Sequence, residues 1–245
     1  MYVNLKKKYG QNFLIDRNIS SKIINLINQY NLNILEIGPG DGKLTEKILE
    51  KKPKNLDIIE IDKDLIEYLN KKFQKYKFIN IINNDVIKSN LDKDYDLVIS
   101  NLPYNLSSKV LEKLILIKNA PKKMILMFQK EFAERLLNKN LNSINSLIKC
   151  FFSVERKFNV SNSCFRPLPK VQSSVLVFNK LNKSLISKNE IESFIEFKRD
   201  IFSYKRKTLR RILKKYQIEK NFNFDLRAEN LNLRDLIKIF RAINF

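Results

Sequence analysis

Only four of the 245 residues are glycine, and all four fall in two short stretches. Gly38, Gly40 and Gly42 form E-I-G-P-G-D-G, and Gly10 opens G-Q-N-F-L. Glycine belongs where a backbone needs positive φ or must approach a ligand closely. A chain this short of it elsewhere marks the end of the segment Leu32 to Gly38 as a ligand site.

That segment opens a regular alternation. Leu32 to Gly38 (L-N-I-L-E-I-G) reads as a buried strand, followed by a helical pattern from Lys43 to Lys52. Leu56 to Asp62 reads as a second strand, then a helix through Phe73; Phe78 to Val86 is a third strand. Asp96 to Leu102 is a fourth, then a helix from Ser107 to Lys118; Lys123 to Gln129 is a fifth, again followed by helix. Ser153 to Val160 and Ser173 to Phe178 read as two closing strands. Short apolar runs alternating with helices imply an α/β fold, a mostly parallel sheet covered on both faces. Past Leu181 no strand candidates remain, and Lys188 to Tyr216 and Leu231 to Ile243 read as helices. The expected division is residues 1–181 as one domain and 182–245 as a small all-helical one.

The chain has no histidine, which excludes serine–histidine triads, histidine general bases and histidine metal ligands. Cys150 and Cys164 are too few for a disulfide framework and lack metal-site spacing. They read as reduced thiols, and no metal is expected. No apolar run approaches the length of a membrane span, and the basic start lacks the apolar core of a signal peptide. A cytoplasmic protein away from membranes is expected. The net charge of +21 reflects in part a chain heavy in Lys, Asn and Ile, but it also attracts polyanions and points to nucleic acid.

In a doubly wound sheet the ligand sits beyond the carboxyl ends of the strands, near the first βα turn. The turn here is G-x-G-x-G, not the G-x-G-x-x-G of pyrophosphate binders, and no basic group is placed for phosphate. The second strand ends in Glu60 and Asp62, and an acid about 20 residues past the turn can accept both hydroxyls of a ribose. The third strand ends at Asn84-Asp85, where a carboxylate can accept from an adenine amino group. The turn with Gly38 and Gly40, a ribose acid and an adenine acid on successive strand ends read as a site for S-adenosylmethionine.

The fourth strand runs into Asn101-Leu102-Pro103-Tyr104. Proline ends ladder pairing and stiffens the turn. An exocyclic adenine amine is a poor nucleophile because its lone pair is delocalised. The Asn101 amide oxygen and the Leu102 carbonyl can accept its two N–H bonds, favouring a pyramidal nitrogen aimed at an activated methyl. Tyr104 can stack on the base and hold it in line, so that orientation supplies much of the rate. A flipped base calls for a second aromatic. Phe165 in C-F-R-P-L-P-K-V suits that role and suits ordinary loop packing between two prolines equally well.

These motifs resemble the ribosomal RNA adenine N6-dimethyltransferase family. The resemblance rests on G-Q-N-F-L-I-D, E-I-G-P-G-D-G, I-E-I-D, N-N-D-V, N-L-P-Y-N-L-S-S, M-F-Q-K-E-F-A-E-R-L, F-R-P-L-P-K-V-Q-S-S-V and F-S-Y-K-R-K-T-L-R-R-I-L, which run in order from about Lys8 to the closing L-R-A-E-N-L-N-L-R-D-L. The bacterial small-subunit branch fits best. It dimethylates two adjacent adenines in a hairpin near the 3′ end of 16S rRNA, in an immature small subunit. The resemblance implies a Rossmann-like methyltransferase fold of seven strands with an antiparallel member, and a helical C-terminal domain that binds rRNA. It implies that Asn12 and Leu14 line the cofactor with Gly38, Gly40, Glu60, Asp85 and Asn101. It also implies that Tyr104 and Phe165 sandwich the base; a monomer is expected, though the sequence itself is silent on oligomeric state. One departure stands out: relatives carry an aromatic–glycine pair before the sixth strand, whereas residues 138–148 here read as a glycine-free loop.

Phe202 to Tyr216 reads as a basic helix, with Lys205, Arg206, Lys207, Arg210 and Arg211 expected to meet RNA phosphates, since A-form targets are held largely through backbone and shape. Two other readings share parts of the pattern: a large-subunit (23S) rRNA adenine methyltransferase of the macrolide-resistance type, and an rRNA-binding assembly factor for which methylation is secondary. F-S-Y-K-R-K-T-L-R and L-R-A-E-N favour the small-subunit branch over the first. DNA adenine or glutamine methylation is a weaker alternative that uses a related turn.

Overall fold

Apolar runs interrupted by single acids become the middle of one sheet. A computed structural model of the chain describes Lys6 and residues 11–204, 206–216, 218 and 222–243. In chain order its elements are β1 (Phe13–Leu14), α1 (Arg17–Ile24), β2 (Asn33–Ile37), α2 (Lys43–Leu49), β3 (Asn55–Glu60), α3 (Lys63–Phe73) and β4 (Ile79–Asn83). There follow β5 (Leu97–Asn101), α4 (Ser107–Leu116), β6 (Lys123–Gln129), α5 (Lys130–Leu137), α6 (Ser143–Phe151) and β7 (Phe152–Val160). The last are β8 (Phe165–Arg166), β9 (Ser173–Lys180), α7 (Ile191–Ser203), α8 (Leu209–Ile212) and α9 (Leu233–Arg241).

Seven strands form one sheet in the order β4-β3-β2-β5-β6-β9-β7. The pairs β2–β3, β2–β5, β3–β4 and β5–β6 are parallel, and β9 runs antiparallel to β6. The central strands β2, β5 and β6 are almost wholly buried, as continuous apolar runs in a two-sided parallel sheet should be. At one edge β7 alternates buried and exposed residues, the mark of a strand with one wet face. From β2 the chain moves outward to β3 and β4, then returns to β5 on the other side of β2. This reversal opens a crevice at the carboxyl ends of β2 and β5.

A second, two-residue sheet shapes that crevice. β1 pairs antiparallel with β8, Phe13 opposite Arg166 and Leu14 opposite Phe165. Ile15 N–H extends the pairing to the Cys164 carbonyl at 2.8 Å. Immediately after β1, Asp16 caps α1 by accepting from the N–H groups of Asn18 (2.8 Å) and Ile19 (3.0 Å).

By its contacts the chain divides into two compact units, Met1–Ala133 with Glu155–Lys180, and Glu134–Val154 with Leu181–Phe245. The second unit therefore starts anew at Leu181, and it also gathers residues 134–154. Its core includes Phe194 and Phe197 of α7 and Phe240 of α9, with ring centroids 5.1–6.2 Å apart. Arg241 at the end of α9 reaches Glu190 (2.7 Å) and the Leu185 carbonyl (2.9 Å). The guanidinium holds the Glu190 carboxyl down to about 2.

Two expectations are corrected here. Residues 138–148 are not all loop: Ser143–Phe151 is helical. Asn142 and Asn145 form a capping box, and the fully buried Asn145 amide donates to the carbonyls of Asn138 (3.2 Å) and Asn140 (3.0 Å). Side-chain amides thus close the turn that has no glycine. Nor is Lys188–Tyr216 one helix. α7 ends at Ser203, Thr208 is extended and bridges to Arg227, and Leu209 and Arg210 donate N–H bonds to the carbonyls of Leu226 and Phe224, both at 2.8 Å. Those cross-chain bonds replace the helical ladder, and only the short α8 and a 3₁₀ turn at Leu213–Lys215 follow.

Candidate active site

The crevice is a cleft partly open to solvent, lined by residues 11–14, by the glycine turn, by the ends of β3 and β4, and by Asn101–Tyr104. Gly38, Gly40 and Gly42 all take positive φ (64°, 61° and 75°). At two of them the surroundings differ in what a side chain would meet. A Cβ on Gly38 would meet nothing within 4 Å, so the backbone borders open cavity there. A Cβ on Gly40 would fall 2.8 Å from the Phe13 ring, so the turn lies directly against β1.

Beneath the turn lie acids. Glu60, at the end of β3, accepts N–H bonds from Ile61 (2.8 Å) and Asp62 (2.9 Å) and is 6% exposed. Burial raises its pKa against the pull of those N–H groups and of the Gly40 N–H. A carboxylate has about four acceptor sites, so Glu60 keeps capacity toward the cavity. Asp85 follows β4, with one oxygen tied to the Ile87 N–H at 2.8 Å. Asp62 caps α3 and gathers the segment before β1, bonding Lys6 Nζ (2.5 Å) and Gln11 Nε2 (3.0 Å).

The rim is made by the end of β5. Asn101 Nδ2 donates to the Asn12 carbonyl at 2.8 Å, which fixes the amide orientation and leaves Oδ1 for another donor. The next strand-end side chain, Ser100, donates to the Ile37 carbonyl at 2.6 Å and locks β5 to β2. Leu102 is buried at 1% exposure, and Leu106 N–H closes the turn on the Pro103 carbonyl at 3.0 Å. The Tyr104 hydroxyl meets Ser173 Oγ of β9 at 2.8 Å. Burial raises the Tyr104 phenol above its ordinary pKa, so it stays neutral.

Asn12, Leu14, Gly38, Gly40, Glu60, Asp85, Asn101, Leu102, Pro103 and Tyr104 are therefore brought to one cavity. Phe165 is not among its lining. Held by the β1–β8 pair, it is 3% exposed and packs in the core with Leu14, Val160 and Val175. Of the basic residues, Arg206, Lys207, Arg210 and Arg211 are exposed in the second unit, with Arg210 paired to Asp225 at 3.0 Å. Lys205 and Gly10 lie outside the described residues. No described helix is long and apolar enough to cross a membrane. Among the described residues no group of three or more His, Cys, Asp or Glu could hold a metal ion.

Glu36 was not foreseen. It sits one residue from the carboxyl end of β2, is 1% exposed, lines the cavity, and accepts from Thr45 Oγ1 at 2.7 Å. Its Oε1 has no hydrogen-bond partner among the described residues. Burial, reinforced by the charges of Glu60 and Asp41, pushes it up to about 8. The signal was present: an acid inside an otherwise apolar strand, N-I-L-E-I, where burial must be compensated. Ser173 had no comparable signal.

An orphaned buried carboxylate oxygen, an open space over Gly38 and flanking acids fit a cationic nucleoside donor. With the amide rim of β5, they suit a site in which such a donor meets an amino group. The family model described as ribosomal RNA adenine dimethylase matches residues 2–243. The chain is 37% identical to a ribosomal RNA small subunit methyltransferase A of Mycoplasma mobile, over 98% of this chain and 99% of that one. It is 38% identical to that of Borreliella burgdorferi, over 98% and 89%. In three dimensions it resembles a dimethyladenosine transferase from Plasmodium falciparum (TM-score 0.82, 29% identity, 95% of this chain and all of the other). The 23S rRNA methyltransferase ErmE shares the fold (TM-score 0.75, 19% identity, 94% and 99%). This chain belongs to the ribosomal RNA adenine dimethylase family. Use of S-adenosylmethionine goes with that family and fold in general.

Proposed function

We propose that this protein transfers methyl groups from S-adenosylmethionine to the N6 amines of two adjacent adenines in the 3′-terminal hairpin loop of 16S rRNA. It acts on an immature small subunit, as a cytoplasmic monomer, and so contributes to subunit maturation. Its first unit is catalytic, and its basic helical unit holds rRNA. The observation that carries the reading is the Asn101 amide, clamped by the Asn12 carbonyl at the mouth of the acid-lined cavity.

When bound, S-adenosylmethionine supplies a methyl carbon activated by a sulfonium, whose sulfur keeps the C–S electron pair as a neutral thioether. Glu60 accepts the ribose hydroxyls and Asp85 the adenine amino end. Gly38 and Gly40 allow close backbone approach, and Asn12 and Leu14 cover the site. Asp41 adds negative charge beside a cationic donor, and Glu36, protonated at neutral pH before the donor binds, adds it on giving up its proton. Asn101 Oδ1 and the Leu102 carbonyl accept the N–H bonds of the target amine, which aims its lone pair at the methyl carbon. Tyr104 stacks on the base. Phe165 serves as the opposite face only if the β1–β8 pair loosens to expose it. The alkylated nitrogen is acidic and loses its proton to water, so no histidine is needed.

Reaction with labelled S-adenosylmethionine and undermethylated small subunits, followed by mass mapping, tests this reading. Two adjacent N6,N6-dimethyladenines near the 3′ end of 16S rRNA are expected. Incorporation into 23S rRNA or DNA but not into small subunits would overturn it.

A further inference from the structure

Within the second unit, the break after α7 creates a groove of about 820 Å³ empty volume, walled by Tyr204, Lys207, Arg211 and Lys214, with Ile212 at its base. Tyr204 is 52% exposed, so a face of its ring is open to the groove. Lys207 Nζ covers it at 4.1 Å from the centroid, a cation–π contact that orients the ring. The acid of the groove, Asp200, is already committed: it pairs with Lys215 at 2.5 Å and accepts from the Tyr216 hydroxyl. No carboxylate among the described residues pairs with Lys207, Arg211 or Lys214. An aromatic ring beside Arg211 and Lys214, which no described carboxylate pairs, matches the flat base and anionic phosphate of a nucleotide.

We infer that this groove binds one unpaired nucleotide of an RNA strand, its base stacked on Tyr204 and its phosphate held by Arg211 and Lys214. The inference rests on the proposal that the second unit holds rRNA, and it adds a demand that phosphate contact alone does not make. A duplex offers phosphates but keeps its bases stacked on one another, so Tyr204 contributes only where the strand is single.

The test uses the full chain and two short RNAs of equal length, one single-stranded and one fully paired, in fluorescence anisotropy titrations. Tyr204→Ala should weaken single-strand binding roughly tenfold and leave duplex binding unchanged. Tyr204→Phe should bind as the parent does, which separates loss of the ring from a folding defect. Replacing both Arg211 and Lys214 by Gln should weaken both RNAs and lower the salt dependence. Equal loss on both RNAs for Tyr204→Ala, or no loss on either, overturns the inference. So does a Tyr204 effect found only with anionic lipid vesicles. Methylation of small subunits is scored separately. Methylating protein with a silent Tyr204 refutes the groove alone, and absent methylation with a Tyr204-dependent single-strand site refutes the rRNA reading alone.

Discussion

Glu36 and Glu60 lie at 1% and 6% exposure beneath a glycine turn, whereas Lys207, Arg211 and Lys214 stand exposed along a groove of the second unit. In a protein of net charge +21, one region concentrates acids under cover and another leaves cations in the open. Both suit charged ligands by different physics. Buried acids act at short range, in low dielectric, with Glu60 held by backbone N–H groups and Glu36 by the Thr45 hydroxyl. Exposed cations act at longer range and are screened by salt. Fixed geometry suits a small cationic ligand, and field suits a long anionic chain.

The largest expected break between the two regions is Asn101→Ala. Single-turnover methyl transfer should fall about 10²–10³-fold, the usual range for losing one oriented polar contact in a transition state, with RNA affinity unchanged. Equal loss of RNA binding would show that the regions are not separable.

The glycine turn offers a finer cut. Gly40→Ala drives a methyl into the Phe13 ring and should cost about 1–3 kcal/mol of stability, visible in thermal melts. Gly38→Ala meets no protein atom, so beyond its backbone strain it should lose donor affinity more than melting temperature. Calorimetric titration beside the melts separates the two.

Glu36 gives the cleft a pH signature that the groove lacks. Its folded pKa of about 8 lies above its ordinary 4.5, so the folded protein holds a proton that the unfolded chain has released between those values. Its contribution to stability is complete below about 4.5 and is lost as pH rises toward 8, with a slope of at most about 1.4 kcal/mol per pH unit. Glu36→Gln should flatten that slope in denaturant titrations. Binding of a cationic donor near pH 7 should also release a proton, read as buffer-dependent heat.

The smallest effect is expected at Ser173. Ser173→Ala removes the partner of the Tyr104 hydroxyl, worth about 1 kcal/mol, and should lower the methylation rate several-fold with donor affinity intact. An unchanged rate would remove Tyr104 positioning from the mechanism.

The same contrast governs what could be read from sequence. β6 was expected at Lys123–Gln129 and lies there, and β2 lies within the expected Leu32 to Gly38. Acids at strand ends were legible because each follows a short apolar run and carries a local signal. Phe165 was ambiguous because its environment is set by Phe13 and Leu14, far away in sequence and joined to it by a two-residue ladder with no periodicity to detect. The basic stretch looked helical because its residues favour helices; long-range bonds from Leu226 and Phe224 overrode that preference. Asn142-x-x-Asn145 was a capping signal written in amides, in a stretch read as a glycine-free loop.

The β1–β8 pair has a consequence for how the protein comes into being. Asn12, whose carbonyl clamps Asn101, is held in place beside a strand whose partner is Phe165–Arg166. On the ribosome the two halves of that pair emerge about 150 residues apart, roughly ten to thirty seconds of synthesis at ordinary speeds. Until the later half appears, the nascent chain can stack β2 to β6 yet lacks the latch that finishes its methyl-donor seat. The wall of the cavity that β1 forms is therefore paired late in translation, after most of the sheet has already been made.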